Sequence, residues 1–126
     1  MTGATLDAGA LIAFERGKRR MVALVARALE RRDVLAVPAG VVAQVWRDAS
    51  RQVRLVRLLG SYVVEVVPLD DRTARGVGQL CGATGTADVV DGSLVLCARE
   101  RGHAVVTADV RDLRRIDPDL ELVPVN

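Results

Sequence analysis

The chain has 126 residues, the size of one domain, which buries roughly two-thirds of the surface its unfolded form exposes and needs no metal or disulfide staple. Half of it is apolar, yet Phe14, Trp46 and Tyr62 are its only aromatics, so Val, Leu and Ala build the core and a base-stacking aromatic platform is argued against. The net charge of +2 hides an asymmetry: residues 1–60 carry ten Arg and one Lys against five acids, residues 61–126 seven Arg against eleven acids, balances of +6 and −4.

In chain order, residues 4–6 read as a short strand and residues 8–15 as a helix, with a break at Gly17. Residues 18–32 place Met21, Leu24, Val25, Ala28 and Leu29 on one face of an amphipathic helix whose outer face carries Arg. Residues 34–37 form a buried strand ended by Pro38, and residues 39–49 and 52–59 two helices. Residues 63–67 are the next strand, and residues 70–80 a helix opened by an acidic pair. A Gly-rich turn spans 82–86. Residues 89–99 are helical, 104–107 a strand, 110–115 a short helix and 120–125 a last strand. The strands are continuous apolar runs rather than alternating ones, so one domain over 1–126 is predicted. Its fold class is α/β, a three-layer α/β/α sandwich with a mostly parallel central sheet covered on both faces.

Cys81 and Cys97 stand sixteen residues apart without a CxxC or a nearby His, which indicates small core residues rather than zinc or a disulfide framework. The N-terminus lacks a basic segment followed by an apolar stretch, and no window reaches the roughly 18 apolar residues of a membrane span. A soluble, cytoplasmic protein with no membrane partner is expected.

The aspartates carry the chemistry. Asp7 follows the first strand; Asp88 and Asp91 open the helix after the Gly-rich turn; Asp109 follows the strand at 104–107, with Asp112 one turn later. In a parallel sheet the C-terminal strand ends share one edge, where ligands bind, so these residues converge. Carboxylates in one cleft repel unless a cation neutralises them. Mg²⁺, or Mn²⁺ as a substitute, suits an all-oxygen set without His or Cys, and such a centre can polarise a phosphodiester and activate water. Taken alone, each aspartate reads as a helix N-cap before it reads as a ligand, since Asp88 with Asp91 and Asp109 with Asp112 have capping-box spacing. Three separate strand ends with the same feature favour the collective reading.

With these residues in place the chain resembles PIN-domain ribonucleases, and among them the VapC toxins of type II toxin–antitoxin pairs. The likeness spans the chain: Leu6-Asp7-Ala8, Val37-Pro38 leading into Val42-Ala43-Gln44-Val45-Trp46-Arg47, Asp91-Gly92-Ser93-Leu94-Val95-Leu96-Cys97-Ala98, and Val106-Thr107-Ala108-Asp109. The resemblance implies a divalent-metal-dependent endoribonuclease, a homodimer, and a cognate VapB-like antitoxin that blocks the site. DNA would be met only indirectly, through the antitoxin. By the same resemblance Asp7, Asp91 and Asp109 take the places of the first, third and fourth acids, with Asp88 and Asp112 as accessory metal ligands. The second acid, normally Glu, is matched by Gln44, which coordinates through its amide oxygen or holds water but removes one negative charge.

Gln44, Arg47, Asp48 and Arg51 fall at i, i+3, i+4 and i+7, one polar stripe if the helix continues, from which Asp48 would supply the missing charge. A solvated Asp48 paired with Arg47 or Arg51 is the alternative. Arg16, Lys18, Arg19 and Arg20 form a basic cluster, continued by Arg47, Arg51, Arg54 and Arg57; contact with RNA phosphates, a solvated helix face and antitoxin docking are its three readings. The Thr107 hydroxyl is placed to orient a carboxylate or a metal-coordinated water. His103 reads as a surface turn, Trp46 as a core or dimer contact, and Ser93 lacks a His partner for hydrolase chemistry.

Three functions compete: a toxin-type metal ribonuclease using Asp7, Asp91 and Asp109; a catalytically degenerate domain, disabled at Gln44, that keeps dimerisation and antitoxin or RNA binding; and a phosphoacceptor or phosphohydrolase of the same class. The third fits poorly, because Gly9 stands where that chemistry places a second acid.

Overall fold

A computed structural model describes residues 3–125. Five strands, β1 (Gly3–Leu6), β2 (Val34–Pro38), β3 (Val64–Val67), β4 (Ala104–Thr107) and β5 (Leu122–Pro124), form one sheet in the order β3-β2-β1-β4-β5, and every pairing is parallel. Seven α-helices connect them: α1 (Ala8–Glu15), α2 (Arg19–Arg31), α3 (Ala39–Val45), α4 (Val53–Leu59), α5 (Asp71–Thr84), α6 (Val89–Arg101) and α7 (Val110–Ile116). Right-handed crossovers put α1 to α4 on one face and α5 to α7 on the other. The packing agrees, with α1 against α2, α3 and α4, and α6 against α5, α7 and strands β1, β2 and β4. The α/β sandwich expected from the apolar runs is therefore present, and its sheet is wholly parallel.

The core is aliphatic. Leu6, Leu11, Met21, Leu35, Leu55 and Leu113, with valines of β2, β4 and the helices, are buried, each contributing roughly 1.5–3 kcal/mol over an exposed position. The bidentate ion pair of Arg101 with Glu65, at 3.0 and 3.1 Å, ties the end of α6 to edge strand β3. None of the described helices is long and apolar enough to cross a membrane.

Several expectations change. The helix expected over 39–49 stops at Val45, Trp46 is extended, and a 3₁₀ turn occupies Ala49–Arg51. The cause is Gln52: its amide oxygen accepts the N–H groups of Arg47 and Asp48, while its amide nitrogen donates to the Val45 carbonyl and to Glu15. Together with Arg47, which donates to the Ala43 carbonyl, this side chain closes the helix end that another turn would have closed. Trp46 is 40% exposed rather than core. The Gly-rich stretch 82–86 is mostly helix, because α5 runs on to Thr84 before Gly85 ends it with a left-handed cap. The last strand is shorter than expected. His103 is buried, with Nδ1 3.1 Å from the Thr5 hydroxyl and Nε2 without a hydrogen-bond partner among the described residues, and so is no surface turn.

Candidate metal centre at the strand C-termini

Strand β1 leads toward β2 and β4 toward β5, so the sheet's switch point lies between β1 and β4. A crevice opens at such a point beyond the strand C-termini. Asp7 stands directly after β1 and Asp109 two residues after β4. The helices supply the other acids: Asp88 caps α6, accepting from the Asp91 N–H at 2.9 Å, and places Asp91 in the first helical turn. Asp112 lies in the first turn of α7.

Carboxylate oxygens of Asp91, Asp109 and Asp112 come within 4.8 Å of one another. Opposite ligands on Mg²⁺ sit roughly 4.2 Å apart, and those on Ca²⁺ or a looser shell somewhat farther. The exposed Asp109 and Asp112 carboxylates therefore need only a small closure to hold a hard divalent cation, and the all-oxygen donor set fits Mg²⁺ or Mn²⁺. Electrostatics point the same way. Burial, then the charges of Asp88, Asp109, Asp112 and Asp7, push the Asp91 carboxyl up to about 6. Asp109 is also raised, by burial and by its hydrogen bond and charge interaction with Asp112. A cation would relieve that repulsion.

Asp7 is not one of the three converging carboxylates. It is buried, and its oxygens take three donors: the Ala10 N–H at 2.8 Å, the Thr107 hydroxyl at 2.6 Å and the Ala108 N–H at 3.0 Å. It is therefore both N-cap of α1 and clamp on the β4–α7 connection. An ionised carboxylate has about four acceptor positions, so one is left. Thr107 in turn accepts the Asp109 N–H at 2.7 Å; its hydroxyl proton is committed to Asp7 and its lone pair to Asp109. The capping alternative thus holds for Asp7 and Asp88 together with any ligand role, and fails for Asp109, which makes no side-chain cap.

Gly9 is packed against the β4–α7 connection. A Cβ there would stand 2.3 Å from that of Ala108, so no second acid fits at this position.

Gln44 sits in the last turn of α3, exposed, with no side-chain hydrogen bond to a described residue. Gly40, one turn earlier on the same face, lies against Val90 at the start of α6. The stripe expected to bring Asp48 beside it does not exist, because α3 ends first. Asp48 instead caps the 3₁₀ turn through Ser50 and pairs loosely with Arg51 at 3.7 Å. Arg47 turns its guanidinium onto the Ala43 and Trp46 carbonyls.

The basic cluster at Arg16, Lys18, Arg19 and Arg20 lies away from the carboxylates. Helix α1 carries the chain about 12 Å from Asp7, and Arg20 lines a cleft with Arg27, Arg31, Gly3 and Ala4 at the opposite, N-terminal edge of the sheet. The cation beside the acids is Arg115, from the acidic half. With Thr84, Gly85, Thr86 and Ile116 it lines a cleft of about 250 Å³ that opens onto Asp88, Asp91 and Asp112. Nothing in the local pattern marks Arg115, because its neighbours across the cleft lie some thirty positions earlier.

Comparison with known proteins gives one family. The PIN-domain profile matches residues 4–118. No curated protein sequence matches. Among solved structures, the chain is similar to VapBC2 from Rickettsia felis bound to a DNA fragment from its promoter, with a TM-score of 0.71 at 15% identity over 98% of both chains. It is also similar to a toxin–antitoxin complex from Klebsiella pneumoniae, with a TM-score of 0.68 at 17% identity over 98% of both chains. For FitAcB from Neisseria gonorrhoeae the TM-score is 0.62 at 18% identity, over 97% of each chain.

Proposed function

The chain belongs to the PIN-domain family, and from that premise we propose that it is a divalent-metal-dependent endoribonuclease, the toxin of a toxin–antitoxin pair. The observation that carries the reading is the approach of Asp91, Asp109 and Asp112 within 4.8 Å at the switch point of the sheet. Mg²⁺ or Mn²⁺ bound there would polarise the scissile phosphodiester and lower the pKa of water. Asp91, Asp109 and Asp112 hold the cation. Asp7 fixes the β4–α7 connection and presents its remaining acceptor position to the same centre. Thr107 sets the spacing of Asp7 and Asp109, and Asp88 holds the first turn of α6 so that Asp91 faces the cleft. The Rickettsia and Klebsiella structures are of toxin–antitoxin assemblies, which supports a small antitoxin as partner; a homodimer and a cytoplasmic site of action complete the proposal.

Cleavage of single-stranded RNA should cease in EDTA, return with Mg²⁺ or Mn²⁺, and disappear in Asp109→Asn, leaving 5′-phosphate and 3′-hydroxyl ends in the active case. Cleavage that survives both EDTA and Asp109→Asn would sink the proposal. A second reading, binding without turnover, is favoured by one observation: the neutral Gln44 stands one turn after Gly40, which lies against Val90 at the start of α6. It predicts RNA or antitoxin binding with no cleavage in the wild type, and cleavage gained in Gln44→Glu.

A further inference from the structure

We propose that Arg115 and the Thr86 hydroxyl bind the RNA phosphate next to the scissile one, seating the adjoining nucleotide in the cleft between the α5–α6 turn and α7. The inference rests on the ribonuclease reading and adds the path of the strand. The cleft is lined by Asp88, Asp91 and Asp112, and neither Asp7 nor Asp109 reaches it. It therefore shares Asp91 and Asp112 with the metal centre and extends from them toward Thr84, Thr86 and Arg115, so a strand cut at the centre places its next nucleotide there.

The chemistry of the walls fits a phosphodiester. Arg115 is the one cation lining the cleft among the described residues. Its closest carboxylate contact, to Asp112, is 4.0 Å long, and its side chain is 74% exposed; the guanidinium keeps its donors for a ligand, and its planar fork matches two phosphate oxygens. The two threonines differ. Thr84 donates its hydroxyl to the Leu80 carbonyl at 2.8 Å, so its proton is spent. Thr86 accepts the Asp88 N–H at 3.1 Å, so its hydroxyl proton remains to be donated. Between them Gly85, at φ +75°, has no atom within 4 Å of where a Cβ would stand, leaving an open floor for a ribose.

Arg115 also answers an electrostatic need. A polyanion entering beside Asp88, Asp91 and Asp112 meets three carboxylates, and the arginines at the far edge of the sheet are too distant to offset them through screening of roughly 8–10 Å.

The test is binding of a short single-stranded RNA, followed by fluorescence anisotropy across a salt series, on the Asp109→Asn chain with and without Arg115→Ala. Arg114→Ala, an exposed neighbour outside the cleft, is the charge-matched control. Loss of one phosphate contact should flatten the slope of log K against log salt by about 0.7, with roughly tenfold weaker binding for Arg115→Ala and little change for Arg114→Ala. Arg115→Lys should recover the slope, and Thr86→Val should weaken binding roughly threefold. On the otherwise wild-type chain, Arg115→Ala should raise KM about tenfold while kcat stays within about threefold. If Arg115→Ala and Arg114→Ala behave alike on a chain that binds RNA, the inference is overturned and the ribonuclease reading stands. A wild-type chain that neither binds nor cleaves RNA overturns both.

Discussion

Replacing Asp91 by Asn should stabilise the metal-free protein above neutral pH. In the folded chain the Asp91 carboxyl is pushed from 3.8 to about 6 by burial and by Asp88, Asp109, Asp112 and Asp7. Between those values the folded state holds the proton that the unfolded state has released. The contribution of Asp91 to stability therefore falls as pH rises from about 4 to 6, and its full penalty is present at pH 8. Two units correspond to roughly 3 kcal/mol. Partial exposure of the group and solvent screening reduce this to on the order of 1–2 kcal/mol, and losing a first-turn carboxylate from α6 takes back about 0.5 kcal/mol. A net gain near 1 kcal/mol would raise Tm by about 3–5 °C for a domain of this size. Thermal unfolding in EDTA at pH 8 and at pH 4.5 measures it: the variant should melt higher at pH 8 and lose most of that advantage at pH 4.5. Added Mg²⁺ should then raise the wild type and leave Asp91→Asn nearly unmoved. A variant that melts below the wild type at pH 8 in EDTA would refute the reasoning, since the carboxylates would not then be in repulsive contact.

Other substitutions probe the frame around the site. Thr107→Val should cost about 1–3 kcal/mol in urea unfolding, because it strips a donor from Asp7 and an acceptor from the Asp109 N–H; a smaller change would mean that the hydroxyl does not bridge them. Gly9→Ala should lose about 2 kcal/mol or more, since its methyl would meet Ala108 at 2.3 Å. Adding Ala108→Gly should return most of that loss, and a double variant no better than the single removes the contact as the cause. Burial and Arg101 hold His103 below its usual 6.5, with Glu65 acting in the opposite direction. The unfolded chain then takes up the proton first, so the contribution of His103 to stability drops as pH falls below 6.5, against the gain from Asp91, and His103→Asn should remove that component from the pH–stability curve.

The strands were the most legible part of the fold. Apolar runs such as Val34 to Val37 and Ala104 to Thr107 leave no amphipathic alternative, and a parallel sheet buries both of their faces. The convergence of Asp91 and Asp109 followed from that topology with no knowledge of side-chain contacts. What pattern alone could not supply were contacts between distant segments. The period of α3 continues past Val45 in sequence, and the amide of Gln52, with the Arg47 guanidinium, takes up the groups at its end. His103 looks like a turn residue until Thr5, ninety-eight positions away, is placed beside it. Nor does spacing show that the Asp112 carboxylate lies with those of Asp91 and Asp109, while Asp7 has its oxygens engaged by Thr107, Ala108 and Ala10.

Helix α1 has an anchor at each end. Asp7 caps its first turn, and Glu15 at its last residue accepts from the same Gln52 amide that holds the Val45 carbonyl. It acts as a strut about 12 Å long that sets how far the end of α3, and Gln44 with it, stands from the first acid. Only an amide completes the joint. A Glu at position 52 would lack the donors and face Glu15 with like charge; a Lys would lack the acceptor for two backbone N–H groups. Damage at positions 15 or 52, which touch no carboxylate of the centre, would thus reappear as an altered gap between its two walls.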